Sequence, residues 1–545
     1  MRRQRDAAVP ALCPIKCRIL ESGTHRGAWL ALSVAGIVAN IHGSFAAFIA
    51  GGDVVGITGF GGYLPRLRLA RKAIVAAHVW ADPGLKGKAR GERTMCNWDE
   101  DAVTMAVEAS RNCLASGAAM PDAIVFASTS APFADRQNAG VVSTALSLGE
   151  DIASIDVSAS QRAGVSALIQ GIAGVQSGLY GSALVVAADK RRTKAASTGE
   201  LAYGDGAAAV TIGTRFPLLE FVAAQSATVD FVDHFRAATE AFDYTWEERW
   251  IRDEGLAKIV PPVIAKVLRK AGINSSAVAH FIMPSTIGRA VAGIAKDAGI
   301  AAGAVCDNLD AVCGETGAAH PLVMLLHAIE TRVKPDDIVL VVGFGQGCDA
   351  IVLRATTALA SYKSAGGIVA ALANRQEETN YQKYLAFNDL ITLEKGMRAE
   401  RDDYKTALTV TYRKRDMLLG LVGGRCTQCG TLQFPRTDIC VNPQCKAMHT
   451  QEPHSFRDEP ASVLTWSADY LTYTADPPSH YGMITFANGG RFMTDFTDVS
   501  VGEVDVGVTV RMMFRIKSFD HLRGFVRYFW KAVPVRGAAA HSAAA

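Results

Sequence analysis

Four cysteines in the C-terminal part of the chain have the spacing of metal ligands. Cys426 and Cys429 form a C-x2-C pair, and Cys440 and Cys445 form a C-x4-C pair after a ten-residue loop. Four thiolates suit the tetrahedral coordination of Zn2+, and two close pairs bring them together. A redox dithiol is disfavoured because a second pair follows at once. Since four cysteine ligands leave no open coordination position, we expect a structural zinc ion.

A second candidate for chemistry is Gln161, in the segment SIDVSASQRAGVSALIQG (154–171). Small residues precede it, and a helical pattern follows with Val165, Leu168 and Ile172 on one face. The segment therefore resembles a turn that presents a nucleophile at a helix N-terminus. Glutamine cannot be a nucleophile, but its amide can donate a hydrogen bond to a thioester or enolate oxygen.

The elements around Gln161 are written twice. From Val54 to Arg354, short apolar runs alternate with helical patterns and glycine-rich turns, which predicts an α/β layout. The runs AIVFAST (123–129), SALVVAAD (182–189) and GDGAAAVTIG (204–213) recur in the same order as HFIMPST (280–286), DIVLVVGF (337–344) and GQGCDAIVLR (345–354). We infer two similar halves that bring the helix after Gln161 close to the helix in CGETGAAHPLVMLLHAIE (313–330). Two helix N-termini together suit an oxyanion or an activated acyl group.

The chain changes character after Arg354. Residues 360–403 are polar and charged with a helical pattern, which predicts a helical connector. The cysteine motif follows, and the β-branched and aromatic runs from Ala461 to Pro534 predict a small β-barrel.

Composition limits the remaining possibilities. The chain is 49% hydrophobic and 20% charged with a net charge of +3, so neither nucleic acid nor a membrane surface is expected to bind by charge alone. A zinc ribbon with an aromatic barrel can bind nucleic acid, but a dense basic stripe is missing. The eleven cysteines do not indicate a disulfide framework, which favours a cytoplasmic location. The apolar run 27–52 has two interpretations, a signal or membrane anchor and a dispensable N-terminal extension, and we favour the extension.

These motifs resemble a known family. Five segments of the α/β part are similar to the thiolase superfamily, and within it to the bacterial and archaeal hydroxymethylglutaryl-CoA synthases. They are GITGFGGYLPRLRLAR, QRAGVSALIQG, AYGDGAAAVTIG, GETGAAHPL and GFGQGCDAIVLR. GGRCTQCGTLQFPR and the β region after it resemble the zinc-ribbon/OB-fold proteins that accompany thiolase-like enzymes.

The resemblance implies a duplicated thiolase-like α/β fold of two βαβαβ halves, followed by a connector, a zinc ribbon and an OB-type barrel. The expected boundaries are an N-terminal extension (1–52), the two thiolase-like halves (53–215 and 216–356), the helical connector (357–419), the zinc ribbon (420–455), the OB-fold domain (456–536) and a disordered tail (537–545).

The resemblance also shows what this chain lacks. Gln161 occupies the family position of the cysteine that takes the acyl group from CoA. The catalytic histidine of the family falls near Ile282, and the acid/base glutamate of the synthases falls at Thr129. None of the three catalytic side chains of the family is present at its position, which implies that this chain catalyses a different reaction or none.

Other residues are candidates to fill the site. Glu315 stands where related ketoacyl synthases have an asparagine, and His320 resembles the His-Pro signature of the thiolases. We expect Gln161, His320 and Glu315 to be catalytic, with Cys313 and Cys348 as fallback nucleophiles. The residues expected to bind CoA are Tyr203, Asp205, Gly345 and Gly347. Packing roles remain open for each of them.

Several functions follow from this pattern. The first is an enzyme that makes or cleaves a C–C bond beside a carbonyl without an acyl-cysteine, either by thiolytic attack of CoA on a β-keto substrate with His320 as base, or by an aldol-type step. The second is a decarboxylase that uses Gln161, and the third is a non-catalytic partner of another thiolase-like chain. Coenzyme A is then a substrate or co-substrate, with an acyl-CoA or β-keto acid as its partner. We expect a homodimer or a complex with another thiolase-like chain.

Overall fold

A nine-stranded mixed sheet forms the centre of the α/β part. The computed structural model describes residues 54–394, 396 and 405–536; the expected extension 1–52 and tail 537–545 lie outside the described residues. The strands of this part are β1 (Gly56–Tyr63), β2 (Leu67–Ala70), β3 (Glu92–Met95), β4 (Ala123–Ala127), β5 (Ala153–Val157), β6 (Ala183–Lys190), β7 (Asp205–Gly213), β8 (Leu219–Thr228), β9 (His234–Phe235), β10 (Tyr244–Thr245), β11 (Val278–Ile282), β12 (Ile338–Phe344) and β13 (Gly347–Ala355). The order in the large sheet is β11-β12-β13-β8-β1-β7-β6-β4-β5.

Strand pairing confirms the predicted duplication. In the first half, β4 pairs in parallel with β6, and β6 pairs antiparallel with β7. In the second half, β11 pairs in parallel with β12, and β12 pairs antiparallel with β13. The runs that recur in the sequence therefore occupy equivalent places in the sheet.

Helices cover both faces of the sheet. They are α1 (Arg71–His78), α2 (Ala102–Leu114), α3 (Asn138–Ala145), α4 (Ala163–Gln176), α5 (Thr198–Ala202), α6 (Glu248–Trp250), α7 (Ala257–Ala271), α8 (Ala290–Asp297) and α9 (His320–Thr331). The central helices α4 and α9 share one apolar core with strands of both halves. The opposite face is covered by α2 and α3 in the first half and by α7 and α8 in the second. None of the helices in the described part of the chain is long and apolar enough to cross a membrane.

Alternation along the strands explains this layering. Ala123 and Val125 of β4 face the central helices, whereas Ile124 and Phe126 face the outer layer. Because successive side chains of a strand point to opposite faces, a strand that is apolar throughout must be covered on both sides.

The segment expected to be a helical connector is only partly helical. It contains α10 (Ile368–Ala373), β14 (Gln376–Glu378), α11 (Tyr381–Phe387), α12 (Leu408–Arg413) and α13 (Arg415–Leu419). Strand β14 pairs in parallel with β2, which also pairs with β3. The prediction of a helical connector was therefore wrong in part, because strand pairing interrupts the helices. Tyr381 and Tyr384 of α11 are buried against the first half, so this segment is not an exposed linker.

The C-terminal part contains a three-stranded ribbon and a five-stranded barrel. The ribbon strands are β15 (Val422–Cys426), β16 (Leu432–Gln433) and β17 (Gln451–Ser455), and the barrel strands are β18 (Ala461–Asp469), β19 (Ser479–Phe486), β20 (Arg491–Asp495), β21 (Thr509–Asp520) and β22 (Phe525–Pro534). The barrel sheet has the order β20-β19-β18-β21-β22. A parallel bridge between Phe496 and Ala532 joins its two edges, so the sheet closes into the small barrel that the sequence predicts.

The barrel is packed onto the first α/β half through a shared core and buried charges. Trp530 and Phe514 of the barrel belong to the same apolar cluster as helices α2 and α3. Next to this cluster, Lys531 donates to Asp99 at 2.7 Å, and Arg515 pairs with Glu100 at 3.0 Å. Buried charges of this kind require their partners, so the barrel and this half depend on each other for stability.

Candidate active site

Gln161 lies one residue before the N-cap of α4, in a turn that the second half completes. Ser160 Oγ donates to the carbonyl of Gly345 at 2.8 Å. A Cβ on Gly345 would lie 2.8 Å from Ser160 Oγ and 3.1 Å from Gln161 N, so glycine permits this approach. Gly347 is similarly tight, since a Cβ there would lie 2.1 Å from the carbonyl oxygen of Ala227. The two glycines thus shape the turn around Gln161.

A hydrogen-bonded chain fixes the amide of Gln161. Its Nε2 donates to Thr129 Oγ1 at 3.3 Å, and Thr129 Oγ1 donates to Asp189 Oδ2 at 2.9 Å. An ionised carboxylate can only accept, so Thr129 must give its proton to Asp189 and must accept from Gln161. This polarity places the amide nitrogen toward Thr129 and leaves its second hydrogen without a partner among the described residues.

Asp189, at the end of β6, organises this region and was not singled out from the sequence. Its carboxylate also accepts from the backbone amide of Ala318 at 2.7 Å, in the turn before α9. Gly317 has φ of 63°, and a Cβ there would lie 2.3 Å from Asp189 Oδ2. Asp189 therefore ties the strand ends of the first half to the helix start of the second. Its only sequence signal is a buried aspartate closing an apolar strand.

Gln161 lines a cavity of about 610 Å3, which we call the glutamine cavity. Of the other residues predicted for the site, Tyr203 and Glu315 also line it. Among the described residues, His320, Asp205, Gly345 and Gly347 do not. The structure thus brings together three of the seven residues expected to be catalytic or to bind CoA.

Arg191 connects Tyr203 and Glu315. Its guanidinium pairs with Glu315 Oε2 and with Asp243, each at 2.8 Å, and lies 3.6 Å from the centroid of the Tyr203 ring. Burial alone would lower the pKa of Arg191, but Tyr203, Glu315 and Asp243 outweigh it and raise the pKa. Glu315 is therefore held in an ion pair with Arg191 at the wall of the cavity.

The geometry around His320 does not fit the role of a base. Its Nε2 donates to the carbonyl of Asn308 at 2.8 Å, and its Nδ1 accepts from the backbone amide of Thr316 at 3.1 Å. Burial lowers the pKa of the ring, so it stays neutral. Both nitrogens are engaged within the fold, and His320 holds the turn before α9.

Asp205 has a similar structural setting. Its Oδ2 accepts from the backbone amide of Cys96 at 2.8 Å, and its backbone amide donates to Thr94 Oγ1 at 2.7 Å. The AYGDG motif therefore positions a core aspartate that joins β7 to the segment after β3, and Asp205 does not line the glutamine cavity.

The two fallback nucleophiles are buried thiols. Burial raises the pKa of Cys313 and of Cys348 to about 12 in each case. Neither lines the glutamine cavity. Because the thiolate is the nucleophilic form, these cysteines have the character of inert core residues.

A histidine that the sequence analysis missed lines the glutamine cavity. His234 lies on the β9–β10 hairpin, and its Nδ1 is 2.9 Å from Asp233 Oδ2. The hairpin strands have two residues each, so no periodic pattern marks them in the sequence. An adjacent Asp-His pair in a polar segment was the only available signal.

A larger cavity of about 1060 Å3, here called the barrel cavity, lies between the first half and the barrel. Thr129 lines it, whereas Gln161 lines the glutamine cavity. The hydrogen bond between these two residues therefore crosses the wall that separates the cavities.

The four predicted metal ligands lie together. The sulfur atoms of Cys426, Cys429, Cys440 and Cys445 are all within 4.8 Å of one another. The Cys429–Cys440 and Cys426–Cys445 sulfur distances are 3.5 and 3.9 Å. Tetrahedral zinc with Zn–S bonds of about 2.3 Å places its sulfurs about 3.8 Å apart, so the donor set fits a zinc ion.

Comparison with known families agrees with this architecture. Residues 268–355 match the C-terminal domain of 3-oxoacyl-[acyl-carrier-protein] synthase III, and residues 419–447 match the rubredoxin-like zinc ribbon of ChsH2. Hydroxymethylglutaryl-CoA synthase from Aeropyrum pernix is 26% identical over 347 residues, covering 62% of this chain and 96% of that protein. The Archaeoglobus fulgidus synthase is 28% identical over 323 residues, covering 57% of this chain and 91% of that protein.

Solved structures show the same fold. The 3-oxoacyl-(acyl carrier protein) synthase III of Pseudomonas aeruginosa PAO1 superposes with a TM-score of 0.50 at 22% identity, covering 56% of this chain and 99% of that one. MvaS in complex with 3-hydroxy-3-methylglutaryl coenzyme A also superposes with a TM-score of 0.50, at 17% identity, covering 63% of this chain and 92% of that one. The chain thus joins a thiolase-superfamily fold, similar to the acyltransferase-type hydroxymethylglutaryl-CoA synthases, to a zinc ribbon of the ChsH2 type.

Proposed function

We propose that the protein is an acyl-CoA-dependent enzyme that makes or cleaves a C–C bond beside a carbonyl without forming an acyl-cysteine. The observation that carries the proposal is the oriented amide of Gln161, which lines a cavity to which no cysteine of the described chain contributes. In such a fold this substitution retains a hydrogen-bond donor for an oxyanion and removes the thiol that would accept an acyl chain.

The relatives and the charge around the cavity support a CoA thioester as ligand. The sequence relatives are named hydroxymethylglutaryl-CoA synthases, and the solved MvaS complex contains 3-hydroxy-3-methylglutaryl coenzyme A. Lys88 and Arg90 line the glutamine cavity and form no ion pair within the described residues. Unpaired basic side chains of this kind suit the phosphates of CoA.

In this mechanism Gln161 stabilises the negative charge that develops on the thioester oxygen. One hydrogen of Nε2 is committed to Thr129, and the second donates to the substrate oxygen as it becomes an enolate. The N-terminus of α4 adds its positive dipole end at the same place. A single preorganised donor of this kind contributes about 3 kcal/mol, or roughly a hundredfold in rate.

Two alternatives make different demands on this site. A decarboxylase needs the oxyanion donor but no base, because loss of CO2 itself generates the enolate. A non-catalytic partner needs neither, and for it the orientation of the Gln161 amide has no consequence.

Product analysis with three acyl-CoA classes separates these functions. The purified chain is incubated with acetoacetyl-CoA plus free CoA, with 3-hydroxy-3-methylglutaryl-CoA, and with malonyl-CoA. We expect C–C cleavage of a β-keto or β-hydroxy acyl-CoA that falls about a hundredfold in Gln161→Ala. Turnover of malonyl-CoA alone would establish the decarboxylase, and no turnover of any probe would favour the non-catalytic partner.

A further inference from the structure

We infer that His234 is the catalytic base of the reaction proposed above and that Asp233 is its positioning residue. The inference rests on the proposed function and supplies the proton-transfer group that the thiolase-like positions of this chain lack. Of the described residues that line the glutamine cavity, His234 is the only histidine.

The hydrogen bond to Asp233 defines the state of the ring. Asp233 Oδ2 lies 2.9 Å from His234 Nδ1, and an ionised carboxylate can only accept. The Nδ1 atom therefore carries a proton, and in the neutral ring Nε2 presents its lone pair. Within the described residues Nε2 has no hydrogen-bond partner, in contrast to His320, whose two nitrogens are both engaged.

Accessibility distinguishes the two histidines in the same way. The side chain of His234 is 16% exposed, whereas His320 is 1% exposed. A base must reach the proton that it removes, and of these two histidines only His234 has, among the described residues, an unpaired ring nitrogen and a place in the wall of the glutamine cavity.

The hairpin that carries His234 is tied to the same residues as Gln161. Trp246 N donates to the carbonyl of Asp233 at 2.9 Å, which closes the hairpin. Arg236 pairs with Asp243 at 2.5 Å and donates to the carbonyl of Thr129, the residue that orients Gln161. The base and the oxyanion donor are thus held by one connected framework.

A buried acceptor near the base has no partner. Asp233 Oδ1 is buried and forms no hydrogen bond within the described structure. An unsatisfied buried carboxylate oxygen costs free energy, and a hydroxyl or amide donor on a bound acyl-CoA would satisfy it. Its negative charge also stabilises the imidazolium that forms when His234 takes a proton.

The step itself balances without another reactant. His234 Nε2 removes a proton from the carbon next to the thioester carbonyl, and the C–H electron pair forms the enolate. The enolate oxygen accepts from Gln161 Nε2. In the reverse step the imidazolium returns the proton to the same carbon.

Deuterium exchange tests the base without knowledge of the second substrate. Acetyl-CoA is incubated with the full chain in D2O, and deuterium in the acetyl group is followed by mass spectrometry. We expect exchange by the wild type, a loss of about a hundredfold or more in His234→Ala, and partial rescue of that variant by added imidazole. Asp233→Asn should lower kcat for exchange with KM for acetyl-CoA unchanged.

A matched control uses the other cavity. His521 lines the barrel cavity, and His521→Ala should exchange at the wild-type rate. Unfolding midpoints and acetyl-CoA binding are measured for each variant, and Asp233→Asn keeps the test decisive if His234→Ala does not fold.

The outcomes separate the two proposals. Wild-type exchange that persists in His234→Ala and Asp233→Asn would overturn the role of His234 and leave the proposed function standing. Absence of exchange in the wild type, with cleavage of a β-keto or β-hydroxy acyl-CoA retained, would overturn the role of His234 alone. Absence of both exchange and cleavage would overturn the proposed function as well.

Discussion

Replacement of Thr129 by valine tests how the site is held in place. Valine keeps the shape of threonine but removes the hydroxyl that accepts from Gln161 and donates to Asp189. Asp189 would keep five of its six hydrogen bonds, so the fold should persist. The Gln161 amide would lose the partner that orients it.

The size of the effect follows from the bond that is lost. A neutral hydrogen bond at 3.3 Å contributes about 1 kcal/mol, so free rotation of the amide should slow the reaction about fivefold. Complete removal of the donor in Gln161→Ala should cost about 3 kcal/mol, or roughly a hundredfold. Thr129→Ser, which retains the hydroxyl, should remain near the wild-type rate.

The assay is α-proton exchange of acetyl-CoA in D2O, with kcat and KM determined separately. The expected effect of Thr129→Val falls on kcat, because the bond concerns charge that develops during the reaction. A full wild-type rate in Thr129→Val would refute the orienting role of the hydroxyl. A loss as large as that of Gln161→Ala, with the fold intact, would instead place Thr129 itself in contact with the substrate.

Further predictions concern stability, metal and assembly. Freshly purified protein should contain about one zinc per chain, and Cys426→Ser should lose it and destabilise the ribbon; metal analysis that finds no zinc would contradict this. Arg515→Met should lower the free energy of unfolding by about 3–5 kcal/mol, because the buried carboxylate of Asp498, whose pKa Arg515 lowers, loses its partner; an unchanged denaturant midpoint would contradict it. Burial outweighs Arg515 and raises the pKa of Glu100 to about 7, so its folded state binds the proton more tightly than the unfolded state. The stabilisation from this group, on the order of 3 kcal/mol, should be complete below pH 4.5 and should be lost as the pH rises through 7. In urea unfolding, Glu100→Gln should abolish this pH dependence of the free energy of unfolding. Parallel plots of that free energy against pH for the wild type and Glu100→Gln would refute the prediction. Light scattering at micromolar concentration should show a dimer, or a complex with a second thiolase-like chain, and a monomer would count against the predicted assembly.

The repeated layout and the zinc ligands could be predicted because their signals are local. Strand ends such as those of β6 and β12 recur as sequence runs, and the cysteines follow one another at short spacing. The packing of the barrel on the first half could not be predicted in this way. Alternation in a strand shows that Phe514 is buried, but not that helix α2 is what covers it.

The interior of the site depends on contacts between distant segments. His320 has the sequence environment of a catalytic histidine, yet the backbone of Asn308 and Thr316 occupies both of its nitrogens. The role of Asp189 depends on the fold, because distant segments of the chain meet at its carboxylate and donate hydrogen bonds to it. His234 lies on a short hairpin between the repeated elements, where a comparison of the two halves offers no counterpart.

The intact mass of the protein during turnover with acyl-CoA shows most directly whether the reaction proceeds without an acyl-cysteine. We expect the wild type to stay unmodified while it turns over, because Gln161 stabilises the negative charge on the substrate oxygen and accepts no acyl group. Gln161→Cys, which places a thiol at the same helix N-terminus, should gain one acyl group from acetyl-CoA. A stable acyl adduct on wild-type Cys313 or Cys348 would contradict a reaction without an acyl-cysteine.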